Sequence, residues 1–197
     1  MDTLSSLAVR CEALLAAYRA KGVNPNAELL PGIAAEELRE RTRWFPAKVP
    51  MPLIELYGWR NGQPNDAWNT KDVFWFRDMQ FTCVERARSE YESMMSSYGV
   101  GNSRQTQGVD LRDCFPFASF DGGWYVLPCS GQDLARQHPF PVISVFQGID
   151  AYFHSLEAMC ETCTAWRLAS SQANDVWELP EEEERVIWQR YNPGVLS

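Results

Sequence analysis

The sequence predicts an α+β fold: one domain with a mostly antiparallel sheet flanked by helices, and further helices at its N- and C-terminal ends. Two observations carry this. The first is the stretch Phe115 to Pro128, FPFASFDGGWYVLP, in which two apolar runs, Phe117 to Phe120 and Trp124 to Leu127, flank Asp121-Gly122-Gly123. Asp-Gly between strand-like runs marks a tight hairpin, because its turn needs positive φ and glycine supplies it without steric cost. Lone hairpins are marginal in water, so this one belongs to a larger sheet. The second is element order. Helical patterns come first, then strands interrupted by one helix, then helices again, which is the order of α+β folds and not of alternating βαβ units.

The elements follow in chain order. Residues Asp2 to Ala20 place Leu4, Leu7, Cys11, Leu14, Leu15 and Tyr18 at three- and four-residue spacing, an amphipathic helix that Gly22 and Pro25 stop. Pro31-Gly32 is read as opening a second helix with Ala34, Leu38 and Phe45 on one face. Pro46, Pro50 and Pro52 force an extended connector. Pro52 then starts a short helix, Leu53 to Arg60, closed by Asn61-Gly62. Val73 to Phe81, VFWFRDMQF, reads as a strand or as two short strands around Arg77-Asp78. Thr82-Cys-Val-Glu85 has the spacing of a capping box. The helix it opens carries Val84, Ala87, Tyr91, Met94, Met95 and Tyr98 on one face and ends at Gly99. Gly99 to Asp113 is polar and aperiodic, a long loop.

After the hairpin, Pro141 to Phe146 forms a strand and Ala151 to Phe153 a short last one. Ser155 caps a helix bearing Leu156, Met159, Cys160, Cys163 and Trp166 on one stripe. Pro180 and the acids Glu181 to Glu184 open a terminal helix reaching about Tyr191, with proline first and carboxylates at the positive end of the helix dipole.

Composition bounds function. A formal net charge of −8 and a pI near 4.8 argue against sequence-independent nucleic-acid binding, which needs a cationic face to displace counterions. No signal peptide and no apolar run long enough for a membrane span is visible, so we expect a cytoplasmic protein without membrane contact. In that compartment the six cysteines are free thiols. Eight tryptophans are many for 197 residues, and some are expected as interface anchors.

Each chemical motif has a structural alternative. Cys160-Glu-Thr-Cys163 is a C-x-x-C, but zinc needs two further ligands and a redox pair sits at a helix N-terminus. Both cysteines instead lie within an apolar helical stripe, so we read them as core. Cys114, Cys129, His138 and His154 could in principle supply a thiol nucleophile and its base, yet no local signature supports it. Gly99-Val-Gly101 starts like a dinucleotide fingerprint, but Arg104 stands where the third glycine belongs. We therefore expect no catalytic residue, no metal and no cofactor. From Ser155 to Tyr191 the acids Glu157, Glu161, Asp175, Glu178 and Glu181 to Glu184 face only Arg167, Arg185 and Arg190. Such a surface is either a solvated helix start or one that steers a cationic protein, in the second case with Glu181, Glu182, Glu183, Glu184 and Asp121 as charged contacts and Trp68 and Trp124 as exposed anchors.

The chain resembles the SUKH superfamily, which contains fungal cell-wall-assembly regulators and many bacterial immunity proteins. The resemblance rests on LIELYGWRNG (Leu53 to Gly62), VFWFRDMQF, FPFASFDGGWYVL, PVISVFQG and a helix opening SLEAM, in that order. Its motif residues are Trp59, Asn61, Gly62, Asp121, Gly122 and Gly123. It spans roughly residues 33–168 of a single 1–197 domain, leaving 1–25 as an N-terminal helix and 171–197 as an acidic extension. It implies an α+β domain without a general active site. Its implied bacterial role is to bind and neutralise a toxin domain, often a nuclease, of a contact-dependent or polymorphic toxin system. Two other readings stay open: a small thiol-dependent hydrolase, and an intracellular scaffold or regulator.

Overall fold

The computed structural model describes residues 5–23, 29–64, 75–77, 79–99, 109–129, 140–146, 148–171 and 178–195. Six α-helices and five strands are formed among them: α1 (Ser6–Ala20), α2 (Ala35–Arg41), α3 (Met51–Trp59), β1 (Gln80–Phe81), α4 (Val84–Met94), β2 (Cys114–Phe120), β3 (Gly123–Pro128), β4 (Val142–Val145), β5 (Ile149–Phe153), α5 (Leu156–Ala169) and α6 (Glu181–Tyr191). The strands make one sheet in the order β1-β2-β3-β4-β5, every neighbour antiparallel. The fold is α+β, as expected.

The hairpin sits at the centre of this sheet. Phe120 pairs with Gly123, and Asp121 (φ 47°) and Gly122 (φ 76°) form the two-residue turn between them. Positive φ at both central residues matches the right-handed twist of the flanking strands. Both faces of the sheet are covered. Phe115, Phe117, Tyr125, Leu127, Val142 and Phe153 join the main core with residues of α1, α3 and α5. Trp124, Val126, Ile143, Val145 and Ile149 form a second cluster with Met94, Val109 and Leu111. Burial on two sides explains why these strands read as nearly continuous apolar runs.

The first helix is part of the core. Ser5 accepts a hydrogen bond from the Ala8 amide (3.2 Å), and Leu7, Cys11, Leu14, Leu15 and Tyr18 are buried against the same cluster that holds α5. Several expected boundaries shift for identifiable reasons. Pro31-Gly32 does not open α2, which begins at Ala35. Pro31 instead pairs with Arg60, and a Cβ on Gly32 would stand 2.0 Å from the Gly58 carbonyl oxygen. That glycine permits a backbone crossing.

The capping box is also corrected. Thr82 does not cap α4; its hydroxyl meets Ser119 Oγ at 3.2 Å. The cap comes from another segment, because Asn61 Oδ1 accepts from the Val84 amide (3.0 Å) while Asn61 Nδ2 donates to Glu85 (3.2 Å). Gly62 (φ 69°) lets the chain approach so closely that a Cβ would fall 2.6 Å from Cys83 N. Asn61-Gly62 thus joins α3 to the start of α4 more than it closes α3, whose C-cap is Arg60.

Within VFWFRDMQF, Phe76 and Met79 exchange both backbone hydrogen bonds (3.1 and 3.2 Å) around Arg77, whose φ is 59°. Only Gln80–Phe81 is a strand here, and Phe76 and Met79 form an isolated bridge, so the described part of this segment is neither one long strand nor two short ones; Val73, Phe74 and Asp78 lie outside the described residues. Helix α4 runs on into a π-helical turn, Met95–Gly99. The end of the expected long loop is packed: Val109 and Leu111 are buried, and Leu111–Asp113 form a 3-10 turn. Strand β5 begins at Ile149, two residues before expectation. Among the described residues no helix is long and apolar enough to cross a membrane.

Candidate docking surface

The strained Arg77 is where the sheet meets the C-terminal helix. Its guanidinium donates to the Tyr152 hydroxyl (2.7 Å), pairs with Glu184 (2.6 Å) and lies over the Trp166 ring, 5.3 Å from its centroid. Tyr152 also stacks on Tyr125, their centroids 5.9 Å apart. Burial raises the Tyr152 phenol above its ordinary value, and the positive charge of Arg77 opposes that rise. Two concavities share this node. One, of about 220 Å³, reaches Trp166, Trp188, Glu181 and Arg185. The other, of about 370 Å³, runs past Met79 and Tyr125 to the hairpin tip at Phe120 and Asp121. Phe146 borders it and is 50% exposed.

Helix α6 packs on α5 and the core through Trp188 and, partly buried, Ile187. Trp188 is its one fully buried residue, and its indole N–H donates to the Tyr152 carbonyl (2.9 Å). Trp166 Nε1 donates to the Glu184 carbonyl (3.0 Å). Just beyond the helix, Asn192 accepts from the His154 amide (2.8 Å) and donates to Thr162 Oγ1 (3.0 Å). Between α5 and α6 lies a groove of about 780 Å³ lined by Ala165, Leu168, Val186 and Ile187, with Glu182, Glu183 and Arg190 also bordering it. Leu168 is 52% exposed and Val186 47%.

The four glutamates expected to act together are divided by this geometry. Glu184 is turned inward to Arg77 and is a mounting residue. Glu182 pairs with Arg185 at 2.7 Å on the open surface, a contact of little energetic weight. Glu181, Glu182 and Glu183 are exposed. No protein-family model matches the chain, and no curated protein matches it.

The expected exposure of Trp124 is corrected. It is 2% exposed, lies edge-on to Tyr98 in the second cluster and donates its indole N–H to Glu90 (2.8 Å). Its position on β3 opposite Val145 points it to the face covered by α4. Trp68 lies outside the described residues. Asp121 is exposed at the hairpin tip, beside the second concavity. Trp59 is buried and donates its indole N–H to Glu12 (2.7 Å), so it ties α3 to α1. Gly122 lies at the open tip, while a Cβ on Gly123 would press on Met79 Cε at 3.0 Å.

Arg77 and Tyr152 are not among the residues the sequence singles out for function. The available signal is Arg77-Asp78 interrupting an otherwise aromatic run, which spacing alone explains as a strand break.

All six cysteines are free and buried. Contact with Cys160 and burial hold the Cys11 thiol above its ordinary value, and burial does the same for Cys83 and Cys129. A catalytic thiol needs the opposite environment, exposed and electropositive. His154 is exposed, and His138 lies outside the described residues. Among the described residues no group of three or more His, Cys, Asp or Glu side chains is arranged to hold a metal.

Proposed function

We propose that this chain is a non-enzymatic, protein-binding domain of SUKH type, a cytoplasmic bacterial immunity protein that neutralises a cationic toxin domain. The observation that carries the reading is the α5–α6 groove, where exposed Leu168 and Val186 sit beside exposed Glu182 and Glu183. Glu182 is paired with Arg185 and Arg190 also borders the groove, so Glu183 is the acid here that suits a basic contact, beside apolar side chains that suit an apolar one. A nuclease toxin, which must itself bind phosphate, carries such basic surface. The net charge of −8 acts in the same direction by steering encounter. The fold agrees with what the SUKH resemblance implies, and the buried thiols weigh against the hydrolase reading.

The test is protection. The chain is co-expressed in a bacterial host with the toxin domain encoded next to its own gene, and survival is scored. The reading expects wild-type protein to rescue growth, and Leu168→Asp to lose rescue while remaining folded. Cell death at equal expression, or full rescue by Leu168→Asp, would overturn the toxin-binding reading or the docking face respectively.

A further inference from the structure

The C-x-x-C has a partner that its spacing does not reveal. Cys160 Sγ lies 3.5 Å from Cys11 Sγ, across the contact between α5 and α1. We propose that Cys11 and Cys160, and not Cys160 and Cys163, form the disulfide when this protein meets a two-electron thiol oxidant.

The geometry favours the inter-helix pair. A disulfide requires Cβ atoms about 3.5–4.5 Å apart. Residues three apart on a helix hold theirs at about 5–6 Å, so closing Cys160 on Cys163 must deform α5. That turn is also braced by Thr164, whose hydroxyl donates to the Cys160 carbonyl (2.7 Å). Cys11 and Cys160 are already in sulfur contact at 3.5 Å, so bonding them brings the two sulfurs about 1.5 Å closer.

Access is the limiting step. Both thiols are buried, and the Cys11 thiolate is disfavoured. The residues next to them in sequence, Arg10 and Glu161, form an ion pair (2.7 Å) about one-third exposed at the edge of the same helix contact. Opening of that edge would admit an oxidant to the pair. The reaction balances simply. Each thiol loses its proton, one S–S bond replaces two S–H bonds, and the two electrons and two protons pass to the oxidant. With an azodicarboxamide oxidant the N=N bond becomes a hydrazine.

The bridge would close a loop between positions 149 apart, so it strongly restricts the unfolded chain. Azodicarboxamide treatment of the native wild-type protein, followed by alkylation and peptide mapping, tests the proposal. Expected are a Cys11–Cys160 peptide as the main disulfide, faster migration on a non-reducing gel, and a melting temperature raised by about 5 °C or more. Cys163→Ser should retain the bridge and Cys11→Ser should abolish it. The proposal is overturned by a predominant Cys160–Cys163 bridge. It is equally overturned if the native protein forms no disulfide under treatment that fully oxidises it in urea. Both of these outcomes are read on wild-type protein, so they stand even where a variant fails to fold.

Discussion

Helices α1 and α6 lie at opposite ends of the chain, flank α5, and are attached in different ways. Helix α1 presents Leu7, Cys11, Leu14, Leu15 and Tyr18 to the main core, all of them buried. Helix α6 fully buries only Trp188, packs Ile187 partly against the core, and adds polar pins: Arg77 with Glu184, the Trp188 indole on Tyr152, and Asn192 just past its end. The difference separates a helix consumed by the core from one that keeps an open surface. A helix whose stripe is consumed by the core has little left to offer a partner. One that fully buries a single residue keeps most of its surface, and it borders the apolar groove together with α5.

Leu14→Ala should have the largest effect. Removing a fully buried side chain from α1 costs about 2–5 kcal/mol, and because α1 is continuous with the core the loss should appear in global unfolding. Chemical denaturation reads it as a lower midpoint with an unchanged slope. Trp188→Ala removes a larger side chain, yet its cost is capped by the free energy with which α6 docks. We expect about 2 kcal/mol or less in the main transition, with α6 undocked and the rest of the far-ultraviolet signal intact. A loss as large as that of Leu14→Ala would erase the distinction between the two helices. Gly122→Val is smaller and local: a β-branched residue at φ 76° should cost about 1 kcal/mol or more through strain alone, since a Cβ there meets no neighbour within 4 Å. An unchanged melting temperature would mean that positive φ at the tip is not needed.

Local patterns were legible in the sequence, and trans contacts were not. The hairpin, α1 and the Ser155-capped α5 each follow from spacing within a short window; the hairpin and α5 form where expected, and α1 ends at Ala20 as expected but begins at Ser6, capped by Ser5, and not at Asp2. The start of α4 shows the limit. Thr82 and Glu85 have capping-box spacing, but Asn61, more than twenty positions earlier, supplies the oxygen that takes the Val84 amide. Local spacing cannot say which of two competent acceptors tertiary structure will deliver. Trp124 fails for a related reason. Strand alternation separates its face from that of Tyr125, but whether that face is covered depends on where α4 and its π turn come to rest. The acidic run was visible as composition, whereas the inward turn of Glu184 required Arg77, which sits more than a hundred residues away.

Native-state hydrogen exchange tests the central claim most directly, because it reports the opening free energy of each helix in the unmodified protein. Amides in the middle of α1 are predicted to exchange only through global unfolding. Those of α6 from Arg185 to Tyr191 are predicted to exchange through a local opening of distinctly lower free energy. Equal protection in the two helices, with both tracking global stability, would contradict this picture and make α6 as much a part of the core as α1.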